Sequence, residues 1–221
     1  MLEQIKGGLI VSCQALPDEP LHSSFIMGRM ALAAQMGGAV GIRAQGMADI
    51  LEIKKQVHLP VIGIVKRECA DSTVYITPTK REVEELLQTG CEMIALDATK
   101  RPRPNGEALA DLIHTIKAHN VQVMADCSTY EEAIEAALLG ADCVSTTLCG
   151  YTPYSELHDG PDYALLACLV ADLQIPVIAE GKINTPEELR EVFKQGCYAA
   201  VVGGAITRPR DITARFVQAL G

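Results

Sequence analysis

The segments Pro-Val-Ile-Ala-Glu180-Gly181-Lys182 (176–182) and Ala-Val-Val-Gly203-Gly204-Ala-Ile-Thr (200–207) decide the fold. Each is an apolar run ending on a reactive or glycine-rich tip, and one helical segment lies between them. A parallel strand covered on both faces has this composition, and two such strands joined by a helix make a βαβ unit. Glycines directly past such strands leave bare backbone N–H groups, where a phosphate binds. In an eight-stranded barrel the loops after strands seven and eight are the standard place for one. Glu180 sets a carboxylate at the mouth of that site. The reading is an enzyme for a small phosphorylated substrate.

Working outward, apolar runs recur near 9–14, 39–44, 60–66, 93–98, 121–126 and 143–147, before the two at 176–180 and 199–203. Amphipathic stretches with helix punctuation separate them. Thr79 with Glu82 and Thr129 with Glu132 have capping-box spacing. Pro186 follows Thr185 as a first-turn proline, with Glu187 and Glu188 on the favourable side of the dipole. Gly90, Gly140 and Gly196 each close a helix before the next strand. The segments Leu-Gln-Thr-Gly90-Cys-Glu-Met-Ile, Leu-Leu-Gly140-Ala-Asp-Cys-Val and Lys-Gln-Gly196-Cys-Tyr-Ala-Ala-Val are near echoes. Strict β/α alternation forces a parallel sheet with right-handed crossovers. Eight copies in 221 residues predict an α/β protein, a closed (β/α)₈ TIM barrel forming a single domain over 1–221. The irregular stretches 67–78, 99–105 and 148–160 fall on its active face as lid candidates.

Composition narrows the function classes. Hydrophobic residues make up 48% of the chain and Trp is absent, which suits an aliphatic core. A formal net charge of -9 argues against a nucleic-acid partner, since a phosphate backbone needs a basic face. No Cys-x-x-Cys pair occurs among the eight cysteines, and no histidine stands at ligand spacing from one, so reduced thiols and no metal site are expected. No apolar run approaches about 18 residues and the N-terminus lacks a signal-like apolar region, so no membrane is expected. The expected location is the cytoplasm.

Polar side chains stand at the C-terminal ends of otherwise apolar strands: Gln14, Arg43, Lys66, Asp97, Asp126, Thr146 with Thr147, and Glu180. Buried charge is expensive, and barrel enzymes draw catalytic residues from these positions. Any one of them alone could serve a structural ion pair or anchor a loop; together they point to an active site. Lys66 ends Val-Ile-Gly-Ile-Val, where desolvation lowers an amine's pKa and makes a base or a Schiff-base amine. Glu180 ends Val-Ile-Ala, where partial burial raises a carboxyl towards neutrality. Strands three and seven lie nearly opposite in an eight-strand ring, so a substrate between them meets a base on each face. That suits inversion next to a carbonyl, with Arg43, Asp126 and Gln14 orienting polar groups. Gly181 with Lys182, Gly203 with Gly204, and Arg208 would hold a phosphate, with a helix opening at Thr207-Arg208-Pro209. The histidines read as loop or surface residues.

The chain closely resembles the bacterial N-acetylmannosamine-6-phosphate 2-epimerase family. The resembling stretches include Ile-Val-Ser-Cys-Gln14-Ala-Leu, Gly-Ile-Arg43-Ala-Gln-Gly, Ile-Gly-Ile-Val-Lys66-Arg and Met-Ala-Asp126. They continue through Val-Ser-Thr-Thr-Leu-x-Gly-Tyr151-Thr, Glu180-Gly181-x-Ile-Asn-Thr and Val-Val-Gly-Gly-Ala-Ile-Thr-Arg208-Pro, and span residues 7–210. The resemblance implies interconversion of N-acetylmannosamine 6-phosphate and N-acetylglucosamine 6-phosphate, a step in sialic-acid breakdown, with no cofactor or metal. It carries over Lys66 and Glu180 as the catalytic pair and Gln14, Arg43 and Asp126 as sugar contacts. The glycine tips and Arg208 become the phosphate clamp, and the usual arginine at 182 is Lys182 here. It also implies a homodimer.

Two proton routes stay open: Lys66 and Glu180 as opposed bases, or Lys66 alone with relay through the N-acetyl carbonyl while Glu180 assists ring opening. A Schiff-base sugar-phosphate aldolase built on Lys66 and a non-catalytic phosphosugar-binding barrel are the other readings.

Overall fold

Eight short strands pair in chain order and close on themselves: β1 (Leu9–Cys13), β2 (Gly41–Gln45), β3 (Val61–Ile64), β4 (Met93–Asp97), β5 (Gln122–Asp126), β6 (Cys143–Ser145), β7 (Val177–Glu180) and β8 (Ala199–Val202). Every pairing is parallel, and β1 meets β8 to shut the ring. This computed structural model describes residues 1–220. Helices α1 (Leu2–Ile5), α2 (Ser24–Met36), α3 (Met47–Gln56), α4 (Lys80–Leu87), α5 (Leu109–Ala118), α6 (Tyr130–Leu138), α7 (Tyr163–Asp172) and α8 (Pro186–Lys194) punctuate the strands. After β8 the chain makes α9 (Gly204–Thr207) and α10 (Pro209–Gln218). The (β/α)₈ barrel expected from the repeat is therefore present.

Two apolar layers hold it. Inside the ring lie Ile10, Ile62, Ile64, Met93, Met124, Cys143, Ile178 and Val201, with Ile5 of α1 in the same cluster. Between ring and helices lies a larger layer including Val11, Ile42, Ile94, Val123, Ala179 and Val202. Neighbours along a strand alternate between the layers, because successive side chains point to opposite faces. Gly63 of β3 belongs to the outer layer, where a Cβ would lie 2.9 Å from Cys91 Sγ and 3.0 Å from Leu86 Cδ2. Glycine there lets α4 approach the strand.

The helix starts follow the expected chemistry. Thr79 and Thr129 cap α4 and α6 in capping boxes with Glu82 and Glu132, and a third box, Thr185 with Glu188, opens α8 behind Pro186. Gly90, Gly140 and Gly196 all take positive φ after their helices. All eight cysteines are free thiols. Among the described residues no helix is long and apolar enough to cross a membrane.

Some boundaries differ from expectation. β3 stops at Ile64, short of Lys66, because the chain folds back: Lys66 bridges Ile76, and Arg67 N donates to Tyr75 O at 2.9 Å. The 67–78 stretch is thus pinned to its own strand. β6 ends at Ser145, leaving Thr146 and Thr147 in the following turn. The helix expected to open at Thr207-Arg208-Pro209 does so, α10 starting at Pro209 with Arg208 at its N-cap, and the short α9 precedes it.

Gly63→Ala is expected to lower stability by about 1–3 kcal/mol through overpacking against Cys91 and Leu86. Chemical denaturation should show the midpoint falling with no change in slope.

Candidate active site

The residues one step above an inward apolar side chain also face inward, so the strand pattern itself builds a polar storey over the core. Ile10 is followed by Ser12, Gly41 by Arg43, Met124 by Asp126, Cys143 by Ser145 and Ile178 by Glu180. Above them opens a cavity of about 1220 Å³, whose lining includes Gln14, Arg43, Lys66, Thr147, Glu180 and Arg208.

Arg43 anchors the floor. It is 1% exposed, and its Nη1 and Nη2 donate to Asp126 Oδ1 at 3.0 Å and Oδ2 at 2.5 Å. Its Nη1 also lies 3.0 Å from Glu180 Oε2. One guanidinium therefore faces two carboxylates. Burial pushes the Glu180 carboxyl up to about 7; Arg43 pulls it back only in part, and the charge of Asp126 adds to the rise. Thr147 Oγ1 sits 2.9 Å from Glu180 Oε2, 2.9 Å from Asp126 Oδ1 and 2.6 Å from Ser145 Oγ. A hydroxyl has one proton to give, so it cannot donate to both carboxylates. All three contacts are satisfied when Ser145 donates to Thr147, Thr147 donates to Asp126, and a protonated Glu180 donates to Thr147. The geometry suits a carboxyl that gains and loses its proton near neutrality.

Lys66 titrates in the opposite direction. Burial lowers its amine to about 8, and the nearby Arg43 and Arg208 charges add to the depression. Two groups with displaced pKa values, one acid and one base in type, thus line one cavity. That pairing marks proton-transfer sites. Gln14 donates from Nε2 to Ser12 Oγ at 2.8 Å, and its buried Oε1 has no hydrogen-bond partner, leaving an acceptor for a ligand hydroxyl or amide.

At the rim stand the tips of β7 and β8. Gly181 takes φ +102, a conformation that excludes ordinary side chains, and it lines the cavity with Gly203 and Gly204. Arg208 is held by Glu19, with Nε 3.1 Å from Oε1. Lys182 also lines the cavity, but its Nζ donates at 2.5 Å to the His158 carbonyl oxygen, towards the loop after β6.

Some strand-end residues do other work. Asp97 is fully buried under Arg101 and Thr99 and does not line the cavity. Asp126 is likewise buried and reaches the cavity only through Arg43 and Thr147. Thr146 braces β7, donating to Glu180 O at 2.9 Å. Of the three lid candidates, 67–78 and 148–160 contribute lining side chains such as Tyr75 and Tyr151. The 99–105 stretch braces instead: Arg101 Nη1 donates to Thr73 O at 3.0 Å. Sequence reasoning missed Ser12 and Glu19 in the site. Ser12 was legible from strand parity, two residues beyond Ile10; Glu19 left no local signal. Residues without ligand spacing along the chain do meet in space: the loop after β6 folds Cys149, His158 and Asp162 together.

Comparisons with known proteins agree in direction. The model of the NanE family, described as "Putative N-acetylmannosamine-6-phosphate epimerase", matches residues 27–221. A protein of Clostridioides difficile (strain 630), named "Putative N-acetylmannosamine-6-phosphate 2-epimerase", is 66% identical over 220 residues, covering 100% of this chain and 99% of that one. One of the same name from Clostridium perfringens (strain SM101 / Type A) is 64% identical, with both chains covered completely at 100%. A solved structure described as the N-acetylmannosamine-6-phosphate 2-epimerase from Clostridium perfringens superposes with a TM-score of 0.98 at 63% identity, covering 99% of this chain and 96% of that one. A thiamine phosphate pyrophosphorylase from Pyrococcus furiosus superposes at a TM-score of 0.63 and 21% identity over 96% and 92% of the two chains, a likeness of fold alone.

Because the Glu180 carboxyl sits near 7 in the fold against an ordinary 4.5, its ionisation costs stability as pH rises through that window, fully above about 7. Glu180→Gln removes the cost. Denaturant unfolding should find this variant equal to the parent near pH 4.5 and more stable at pH 8, by up to about 3 kcal/mol.

Proposed function

Since the chain belongs to the NanE family of N-acetylmannosamine-6-phosphate epimerases, we propose that it interconverts N-acetylmannosamine 6-phosphate and N-acetylglucosamine 6-phosphate. The observation that carries this reading is the pairing of a Glu180 carboxyl raised to about 7 with a Lys66 amine lowered to about 8 in one cavity.

The chemistry follows from the substrate class. Ring opening yields a C1 aldehyde, which makes the C2 proton acidic. A base takes that proton, the C2–H electron pair forms the C1=C2 bond, and negative charge collects on O1. A cationic donor such as Arg43 or Lys66 stabilises that enolate. A proton delivered to the opposite face of C2 completes inversion. Between pH 7 and 8 the dominant free form carries the Glu180 carboxylate and the Lys66 ammonium, one base and one acid. Gly181, Gly203, Gly204 and Arg208 hold the phosphate, with Lys182 adding charge at the rim. Gln14 Oε1 accepts from a sugar hydroxyl or the amide N–H, and Asp126 and Thr147 keep Arg43 and Glu180 in register. Both proton transfers use this chain's own side chains and need no cofactor. The reaction fits the breakdown of sialic acid in the cytoplasm.

We also propose a homodimer. Phe216 and Val217 of α10, and Leu220 beyond it, leave large apolar side chains in solvent, and α10 buries none of its residues. A second copy covering this surface removes it from water.

Proton NMR in D₂O with N-acetylmannosamine 6-phosphate tests the reaction. The gluco epimer should appear with deuterium at C2, without added metal or nucleotide. Binding without exchange or epimer would overturn the assignment. kcat/KM should be bell-shaped in pH, rising through about 7 as Glu180 ionises and falling through about 8 as Lys66 loses its proton. Glu180→Gln should cut epimerisation by about 10²–10⁴-fold while C2 exchange survives in one epimer. Loss of exchange and inversion together points instead to Lys66 as sole base. Borohydride trapping of an adduct on Lys66 would favour the aldolase.

A further inference from the structure

The loop after β6 builds a second constellation outside the proton-transfer site. Cys149 stands at its start, His158 near its end, and Asp162 caps α7; none of the three lines the catalytic cavity. Cys149 Sγ lies 3.8 Å from Asp162 Oδ2, His158 Nε2 lies 3.0 Å from the same oxygen, and all three ligand atoms fall within 4.8 Å of one another. Asp162 is fixed by its cap: Oδ1 accepts from Leu165 N at 2.9 Å, which leaves Oδ2 aimed at the thiol and the ring. The loop is fixed as well. Cys149 N donates to Thr146 O at 3.1 Å, Gly150 N donates to Ser155 Oγ at 3.0 Å, and the Lys182 ammonium holds the His158 carbonyl.

The ring nitrogen is the informative atom. His158 Nε2 is buried and has no hydrogen-bond partner, although a carboxylate oxygen stands 3.0 Å away. A lone pair and a carboxylate oxygen that close repel each other unless a proton or a cation lies between them. A zinc-like ion takes sulfur at about 2.3 Å, nitrogen at about 2.0 Å and carboxylate oxygen at about 2.1 Å, so tetrahedral ligands sit roughly 3.3–3.7 Å apart. The contacts of 3.0 and 3.8 Å bracket that spacing.

We propose that Cys149, His158 and Asp162 bind a divalent cation of the zinc class, with water or Glu156 in the fourth position. Glu156 Oε2 lies 3.8 Å from His158 Nε2. A thiolate with an imidazole selects zinc-class ions over magnesium or calcium, which prefer all-oxygen sets. On binding, the Cys149 S–H bond breaks, its proton leaves to solvent and the sulfur pair goes to the metal. Lys182 opposes the incoming charge; Asp162, Glu156 and the new thiolate outweigh it. The ion staples both ends of the β6 loop to α7, and through the His158 carbonyl it steadies Lys182 at the cavity rim. Its role is structural and separate from the acid–base pair.

The test uses the full chain stripped with chelator and titrated with Zn²⁺ by competition against a chromogenic indicator, and with Co²⁺ by absorption. The expected result is one tight equivalent, a cobalt–thiolate charge-transfer band, and no competition from Mg²⁺ or Ca²⁺. Cys149→Ser and His158→Gln should each weaken Zn²⁺ binding by more than about tenfold, as removal of a direct ligand costs at least what loss of its supporting partner does. Asp162→Asn keeps the helix cap and should weaken binding too. Zn²⁺ should raise the melting temperature of the parent and leave that of His158→Gln unchanged. No bound equivalent, or binding undisturbed by both substitutions, overturns the proposal. If Cys149→Ser folds poorly, His158→Gln, at a side chain about one-third exposed, decides alone.

Discussion

A guanidinium buried to 1% exposure cannot stand without a counter-charge, and Arg43 has two within reach. Asp126, fully buried, takes the two-pronged contact, since a forked pair is the strongest arrangement available to it. Glu180 receives what attraction is left, and stays half neutralised beside another negative charge. The same positive charge holds down the amine of Lys66. Burial displaces the Glu180 carboxyl upward against the pull of Arg43 and the Lys66 amine downward with the help of Arg43, until the two nearly meet around neutral pH. Replacing the arginine by an apolar residue would leave Asp126 charged and unpaired in the barrel, so the pair is binding on the fold as well as on the chemistry.

Helix capping and loop bracing share atoms around this centre. Glu132 completes the capping box of α6, yet it also accepts from Lys100 N at 2.9 Å and from Tyr154 Oη at 2.7 Å. Lys100 in turn stands 3.9 Å from the Tyr154 ring centroid. Glu82 completes the box of α4 and pairs with Arg67, the residue after Lys66. A local signal for where helices begin is thus also the tether for the loops after β3, β4 and β6.

Much of this was legible in the chain because each relevant rule is local. Strand runs, helix-closing glycines and capping boxes depend on neighbours within a turn, and β/α alternation leaves few topologies. The inward convergence of Arg43 and Glu180 follows from period-two parity once the strands are known. What the chain could not display were contacts between distant loops. Glu19 meets Arg208 from the other end of the sequence, and Cys149 meets His158 only because the intervening residues curl back. Asp97 misled for a related reason: its position matches that of Asp126 in the ladder, but Arg101 follows four residues later and claims it.

The ring is sealed by β1 against β8, where Val11 pairs with Val202, and Thr207 Oγ1 reaches back to Ser12 O at 2.8 Å. These are among the most remote partners in the chain, and pairings of such long sequence separation form slowly, although their closure entropy grows only logarithmically with length. During synthesis β1 emerges first and waits with one edge open until the last strand leaves the ribosome. The cavity floor, which spans β2, β5 and β7, can assemble earlier than the glycine tip of β8 that completes the rim. Until β8 pairs, β1 and β7 each keep an open strand edge, the kind of surface that invites pairing with another chain.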